Sequence, residues 1–158
     1  MHRIATALLL ALGLTLSSAG AEDGLVVTAN HSGGGFDMRN DWSTRIDGSE
    51  VTVERTGKRN RRPRRLSSQE LNALRHSIDT NKFFELQQRY GCSECSDNPV
   101  YTLTVTSGGT AKKVQVFCSP DGRLPHAGAD AIDVQHFMAL WQTIKHLAAL
   151  GNVPDACS

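Results

Sequence analysis

The stretch VYTLTVTSGGTAKKVQVF, residues 100–117, decides the fold prediction because its apolar residues alternate on both sides of a Gly-Gly pair. Gly108-Gly109 suits a two-residue hairpin loop, since glycine takes positive φ at both central positions without steric cost. With that loop, the predicted cross-strand pairs are Tyr101 with Val116, Leu103 with Val114 and Val105 with Lys112. One face of the hairpin is then apolar and the other polar, which is typical of an antiparallel sheet buried on one side.

An earlier hairpin is predicted in DWSTRIDGSEVTVER, residues 41–55. Asp47-Gly48 is a favoured pair for a type I′ loop. The pairs that this loop predicts are Trp42 with Val53 and Arg45 with Glu50. The same register therefore gives an apolar face and an ion pair. The apolar stretch LVVTA, residues 25–29, predicts a further strand before this hairpin.

Two helices are predicted from capping signals and apolar spacing. Ser67-x-x-Glu70 forms a capping box, and apolar residues at helical spacing follow it, so a helix is expected from about Ser68 to Thr80. A longer helix is expected over about 131–150, with Gly151 at its C′ position. Its apolar stripe is Val134, Phe137, Trp141, Ile144 and Ala148. Between the helices, the residues expected to close the edge of the core are Phe83, Phe84 and Leu86.

These elements predict an α+β fold, with an antiparallel sheet of two or more hairpins and two helices packed on one face. Trp42 and Trp141 are both expected in the core, where they touch. Residues 22–158 are expected to form a single domain, in which 56–66 is a basic connector.

The N-terminus predicts export. A short basic start, an apolar run from Ile4 to Leu16 and the small-x-small sequence Ala19-Gly20-Ala21 are typical of a secretory signal peptide over residues 1–21. No later segment is long and apolar enough to predict a membrane span. Because Arg3 lies in the signal, the mature chain keeps 16 basic residues against 16 acidic ones. The expected localisation is therefore periplasmic or secreted, and global charge gives no indication of nucleic-acid binding.

Four cysteines lie in the mature chain: Cys92, Cys95, Cys118 and Cys157. An even number in an exported protein favours two disulfides over metal or catalysis, and the sequence allows three pairings. Cys118 falls opposite Pro99 at one end of the later hairpin, which favours pairing with Cys92 or Cys95. The alternative is a thiol–disulfide redox protein using the C-x-x-C at 92–95, although no helix follows that motif to lower a thiol pKa.

A basic run provides the main candidate binding site. Its six cationic residues are Lys58, Arg59, Arg61, Arg62, Arg64 and Arg65. Clustered guanidinium groups suit an acidic protein partner or an envelope polyanion. Two other interpretations of the run are a cleavage site for a trypsin-like protease and a solvated connector between folded elements. The run contains no aromatic residue on which bases would stack, so specific nucleic-acid binding is not predicted.

Other motifs do not support an enzyme. The loop HSGGG would suit an oxyanion hole, but the chain has no Gly-x-Ser-x-Gly nucleophile, so Gly33 to Gly35 are expected to form a backbone bend. The five mature histidines are expected at the surface without metal-ligand spacing: His31, His76, His126, His136 and His146. No cofactor or metal is predicted.

The order of the strand–Asp-Gly–strand hairpin, LSSQEL, KFFELQQRYGC and DNPVYTLTV resembles small, functionally uncharacterised α+β domains of secreted bacterial proteins, over roughly residues 41–147. The resemblance implies a bacterial envelope protein of this architecture and supplies no catalytic residues. Together with the signal, the cysteines and the basic run, it favours an exported, disulfide-stabilised, non-enzymatic binding module for a protein or envelope component. An inhibitor or immunity-type role fits such a domain by class analogy.

Overall fold

A computed structural model describes residues 24–32, 41–56, 62–91, 98–118 and 130–150. Several sequence predictions fall on residues outside these ranges. They concern the signal segment 1–21, the Gly33–Gly35 bend, Lys58, Arg59, Arg61, Cys92, Cys95, His126, Gly151 and Cys157.

Within the described ranges the chain forms one seven-stranded sheet and two α-helices, so the α+β prediction is confirmed. The strands are β1 (Val26–Ser32), β2 (Trp42–Asp47), β3 (Glu50–Arg55), β4 (Arg64–Arg65), β5 (Arg89–Tyr90), β6 (Val100–Ser107) and β7 (Thr110–Phe117). The helices are α1 (Ser68–Thr80) and α2 (Asp130–Leu147), and a single 3₁₀ turn covers Phe83–Glu85. Strand order is β4-β3-β2-β1-β6-β7-β5, antiparallel except for the parallel β5–β7 pair. Strand β1 therefore joins the two predicted hairpins at the centre of the sheet.

The β6–β7 hairpin has the predicted register. Tyr101 pairs with Val116, and Leu103 pairs with Val114. Gly108 and Gly109 form the loop with φ values of +55° and +80°. Positive φ at both positions is the requirement of a type I′ turn, which explains why a Gly-Gly pair predicted this hairpin correctly.

The predicted register of the β2–β3 hairpin is wrong by two residues. Trp42 pairs with Arg55 rather than Val53, and Arg45 pairs with Thr52 rather than Glu50. Gly48 occupies the first loop position with φ +55°, and Ser49 follows without positive φ. Glycine at the first position selects a type II′ turn over Gly48-Ser49 in place of a type I′ turn over Asp47-Gly48. Because the shift is two residues, every side chain keeps its predicted face.

Helix α1 begins and ends where the sequence predicted. The Ser67 hydroxyl accepts a hydrogen bond from the Glu70 backbone N–H at 3.2 Å, and the Glu70 carboxylate accepts one from the Ser67 N–H at 2.8 Å. Both halves of the capping box are therefore present. Satisfying these backbone donors fixes the direction in which the chain enters the helix.

Helix α2 ends earlier than predicted, at Leu147. Ala149 takes φ +50°, its N–H donates to the His146 carbonyl oxygen, and the Leu150 N–H donates to that of Lys145. These two bonds form a Schellman motif with Ala149 at C′, the position predicted for Gly151. Leu150 is 2 % exposed, so burial of its side chain accompanies the early turn.

Aromatic contacts place α2 against one face of the sheet. The Trp141 ring lies 5.0 Å from the Trp42 ring and 4.8 Å from the Tyr101 ring, between centroids, which confirms the expected contact of the two tryptophans. The whole predicted stripe of α2 is buried. Helix α1 contacts α2 through the hydroxyls of Ser77 and Thr143, which are 3.1 Å apart. The same core also contains Phe83 and Leu86, whereas Phe84, predicted beside them, is 37 % exposed.

The opposite face of the sheet is mostly polar, and the apolar residues on it include Val26, Val100 and Phe117. All described residues that point to it, along β1, β2, β3, β6 and β7, are half-buried or exposed. They include Thr28, Asn30, Ser43, Arg45, Thr52, Glu54, Thr102, Thr104, Lys113 and Gln115. The alternation that predicted the strands therefore also separates a core face from a polar face.

Candidate functional site

A cleft of about 380 Å³ lies at the end of the sheet where β1 and β3 finish and β2 begins. We call it the Trp42 cleft. Its lining residues are His31, Asp41, Trp42, Ser43, Glu54, Arg55 and Thr56. The antiparallel register brings them together, because Trp42 pairs with His31 on one side and with Arg55 on the other.

The inner wall of the Trp42 cleft is aromatic and buried. The His31 and Trp42 rings stack with centroids 6.2 Å apart and planes at 18°, and Trp42 also contacts Trp141 in the core. His31 is 4 % exposed, so its prediction as a surface histidine is wrong. It follows the alternation of β1 into the core beside Tyr101, with ring centroids 5.1 Å apart. Packing of this kind fixes the wall in one arrangement.

Two buried N–H donors at the cleft have no hydrogen-bond partner in the described structure: Trp42 Nε1 and Arg55 Nε. Trp42 is 5 % exposed, so its indole N–H is also removed from solvent. The Arg55 guanidinium is held in place, because its Nη2 donates to the Leu150 carbonyl oxygen at 2.8 Å. An unpaired buried donor costs about 1–3 kcal/mol, so each one in a native structure calls for an explanation. Both donors adjoin this cleft, which makes it a candidate position for an acceptor group.

Charges of both signs line the cleft. Asp41 and Glu54 supply carboxylates to the lining, and the exposed Glu54 leaves β3 on the face opposite to Arg55. A lining that contains both N–H donors and carboxylate acceptors is complementary to a group that carries both, such as a peptide amide.

The Trp42 cleft does not form a serine–histidine catalytic pair. Trp42 pairs with His31, so these two side chains share a face of the sheet, and the side chain of Ser43 leaves β2 on the other face. A nucleophile and its base must lie within hydrogen-bond reach of each other. The lining thus contains a serine and a histidine, as a hydrolase site would, but Ser43 and His31 lie on opposite faces of the sheet.

The described part of the basic run contains residues in two different situations. Arg62 and Arg65 are exposed. Arg64 is also exposed, with 41 % of its side chain accessible, but it donates to the Leu147 carbonyl oxygen and to the Glu70 carboxylate. Arg64 and Arg65 also form β4, which pairs with Val51 and Glu50 of β3, so the predicted connector 56–66 already contains a sheet edge. Arg64 therefore stabilises the end of α2 and the start of α1.

Cys118 is fully buried at the end of β7 and is not a free thiol. Its N–H donates to the Pro99 carbonyl oxygen at 3.0 Å, which agrees with the predicted position opposite Pro99. Its own carbonyl accepts a bond from the Asn98 side chain at 2.8 Å. The other three cysteines lie outside the described residues, so the pairing remains a prediction.

The remaining candidate residues are dispersed. His76 and His146 are exposed and His136 is half-buried. In the described ranges, no three His, Cys, Asp or Glu side chains come together as a metal site, and no helix has the length and hydropathy to cross a membrane. No protein-family model matches the chain, and no curated protein is significantly similar to it.

Sequence reasoning missed the Trp42 cleft and selected only the basic run. Residues of the cleft come from 31, 41–43 and 54–56, which the sheet register alone brings together. The one available signal was a polar or charged residue at an inward-facing position of an apolar strand, such as Arg55 after Val51 and Val53.

Proposed function

We propose that the protein is an exported, disulfide-stabilised, non-enzymatic binding module that holds an extended segment of a protein partner in the Trp42 cleft. The observation that carries this proposal is the pair of unpartnered N–H donors of Trp42 and Arg55 at one cleft. A main-chain carbonyl or a carboxylate of the partner would accept from these donors, and a main-chain N–H would donate to Asp41 or Glu54.

The basic run gives this site a preference for acidic partners. Strand β3 ends at Arg55 and Thr56, both in the lining of the cleft, and the cationic residues begin two positions later at Lys58. Arg62 and Arg65 supply further exposed charge on the described side of the run. Clustered cations increase the association rate of an acidic partner and make it dependent on ionic strength.

A thiol–disulfide role using Cys92 and Cys95 is a less favoured alternative. Cys118 is buried and bonded rather than free, which agrees with structural use of the cysteines. Binding of an envelope polyanion through the basic run is a second alternative, in which the Trp42 cleft has no part.

Site-specific photo-crosslinking in the native envelope tests the proposal. A photoreactive residue replaces Glu54 at the rim of the cleft, and a matched variant carries it at Asn72, which is exposed on α1. We expect one protein adduct from the Glu54 position and none from Asn72. Equal adducts at both positions would show that contact is not specific to the cleft.

Two further variants separate the cleft from the charge. Trp42→Phe keeps an aromatic ring in the core and removes the indole N–H, so the adduct should decrease while the fold is retained. Replacing the basic residues by Ser, with Arg64 spared because it holds α1 and α2, should weaken the adduct chiefly at low ionic strength. An adduct unaffected by Trp42→Phe but lost with the charges would show that the basic run, and not the unpaired N–H donors of the cleft, holds the protein partner.

A further inference from the structure

A second cleft, of about 220 Å³, lies at the β7 side of the sheet, at the edge opposite the basic run. We call it the Lys112 cleft. Its lining residues are Gln88, Arg89, Ala111, Lys112, Lys113 and Gln115. Neither the sequence pattern nor the proposed function assigns it a role.

The cleft forms because β5 covers only part of the edge of β7. Strand β5 pairs with Gln115 and Val116, so the preceding part of β7 extends past the end of β5. The Gln115 N–H donates to the Gln88 carbonyl oxygen at 2.9 Å, which fixes the segment that leads into β5 against β7. Successive side chains leave a strand on opposite faces, so Lys112 and Lys113 reach the edge from both sides.

Among the described residues, the positive charge of the Lys112 cleft has no carboxylate in the lining. That charge comes from Arg89, Lys112 and Lys113. None of the three takes part in the salt bridges found among the described residues, whereas Arg45 bonds to Asp47 at 2.7 Å and Lys82 lies 3.9 Å from Glu85. Three positive charges around one small depression repel one another unless an anion binds between them.

We propose that the Lys112 cleft binds a single oxyanion of the phosphate or sulfate type. Guanidinium and ammonium groups form charge-assisted hydrogen bonds with such an anion, and the Gln88 side chain adds an amide donor. The cleft volume is below the 300–1,000 Å³ that is usual for drug-sized ligands, so one tetrahedral group fits better than an extended molecule. Free phosphate and a lipid or glycan phosphate share this chemistry.

The site is independent of the basic run. Six strand spacings of about 4.8 Å separate β4 from β5, which puts the two edges roughly 29 Å apart. A single anion bound at one edge therefore does not contact the other edge. The inference goes beyond the proposed function and does not require that a protein partner exists.

Titration of the mature protein with inorganic phosphate, followed by amide chemical shifts, tests the site. We expect saturable shifts confined to the backbone near Gln88–Arg89 and Lys112–Lys113. The double variant Arg89→Ser and Lys112→Ser should weaken binding about tenfold or more, since hydrogen bonds to charged groups are lost. The matched control Arg45→Ser removes an exposed cation of the same sheet and should leave the affinity unchanged.

Vesicles distinguish the sources of the anion. Phosphatidylglycerol vesicles that compete with inorganic phosphate, when phosphatidylcholine vesicles do not, would identify a lipid phosphate as a ligand of the site. Phosphate binding without vesicle binding would identify a free oxyanion. Three results would each overturn the proposal. They are binding to anionic vesicles without phosphate-induced shifts, shifts spread over the whole surface, and a loss of phosphate affinity in Arg45→Ser equal to that in the double variant.

Discussion

Arg55 on β3 donates a hydrogen bond from Nη2 to the Leu150 carbonyl oxygen at 2.8 Å, and so connects the sheet to the chain just beyond α2. Arg64 of β4 makes the equivalent contact to the Leu147 carbonyl oxygen. The last carbonyls of a helix have no partners within it, and its C-terminus carries partial negative charge, so cations are favoured there. Arg64, which the sequence suggests for a partner, thus also holds the fold together, as Arg55 does.

Replacing Arg55 by Met should lower the free energy of unfolding by about 1.5–3 kcal/mol, because a charged donor to a helix-end carbonyl is lost while the aliphatic stem is kept. Urea denaturation of the purified protein measures the change. Arg45→Met is the matched control, since its ion pair with Asp47 is exposed and such pairs contribute about 0–1 kcal/mol. Equal losses of stability in both variants would show that the hydrogen bond from Arg55 to Leu150 contributes no more than an exposed ion pair.

The capping box should make stability fall at acid pH. Hydrogen bonds from the Ser67 backbone and side chain, with smaller contributions from Arg64, hold the pKa of Glu70 below its ordinary value of 4.5. The folded state therefore binds the proton less tightly than the unfolded state. The resulting stabilisation is complete above about pH 4.5 and is lost as pH falls through the folded pKa.

Denaturant unfolding between pH 7 and pH 3 tests this prediction. The Glu70→Gln variant should show a weaker dependence on pH over the acid range. Ser67→Ala should cost about 0.5–2 kcal/mol at pH 7, the usual value of an N-cap. Parallel curves for the wild type and Glu70→Gln would contradict the assignment.

Tyr90 fixes the start of α2 and should remain protonated to strongly alkaline pH. Its hydroxyl donates to the Asp133 carboxylate at 2.8 Å and accepts from the Gln87 N–H at 2.6 Å. Burial and the bond to Asp133 raise its pKa far above the ordinary value of 10. A raised folded pKa stabilises the fold below about pH 10, and this contribution is lost as pH rises towards the folded pKa.

Tyr90→Phe should lower the free energy of unfolding by about 1–3 kcal/mol at pH 7, because Asp133 and the Gln87 N–H lose their partner. The variant should also lose less stability between pH 9 and pH 11 than the wild type does. Absorbance at 295 nm follows tyrosinate directly. Titration of Tyr90 near pH 10 in the folded protein would refute the buried hydrogen-bonded arrangement.

Local patterns predicted most of the fold, because turn chemistry and capping are short-range. The Gly108-Gly109 loop and the Ser67–Glu70 box each depend on a few adjacent residues, and both are present as predicted. The order of strands depends on which edges meet across the sheet, and the two-residue strands β4 and β5 have no periodicity to detect. The prediction of the Gly48 loop was wrong because Gly48 suits both the second position of a type I′ turn over 47–48 and the first position of a type II′ turn over 48–49.

The candidate site was harder to predict than the fold. The Trp42 cleft combines side chains from three strands. Its unpaired N–H donors can be recognised only once the hydrogen-bond partners of each side chain are known in three dimensions. Arg64 looks equivalent to Arg62 and Arg65 in the sequence, but the register of β4 directs it to α1 and α2. Charge clustering in the sequence therefore does not distinguish a cation that holds the fold, such as Arg64, from its neighbours that make no such contact.

The cysteines should contribute strongly to stability. Cys118 is buried just after β7 and is not a free thiol, so the predicted crosslink from it would restrain the unfolded chain. Reduction should lower the free energy of unfolding by roughly 2–5 kcal/mol, the usual cost of removing a disulfide from a small secreted domain. Denaturation with and without reductant measures the loss, and peptide mass mapping should find Cys118 linked to Cys92 or Cys95. A transition unaffected by reductant would mean that the bond is incidental to folding.

Ala149 offers a gain in stability from one substitution. It occupies C′ of α2 with φ +50°, a region that costs an L-residue with a side chain roughly 1–2 kcal/mol. Glycine adopts this conformation without the steric penalty and is the usual residue at C′. Ala149→Gly should therefore raise the free energy of unfolding by up to about 1 kcal/mol, after the entropy cost that glycine adds to the unfolded chain.

Ala148→Gly is the matched control for this effect. Ala148 is 4 % exposed and lacks positive φ, so glycine there removes a buried methyl group and gains no conformational relief. It should lower stability by about 1 kcal/mol. The two variants have the same composition, but their expected changes in the free energy of unfolding have opposite signs. Thermal or urea unfolding of both therefore distinguishes the effect of the positive φ at Ala149 from any general effect of glycine. A loss of stability in Ala149→Gly would place the end of α2 elsewhere.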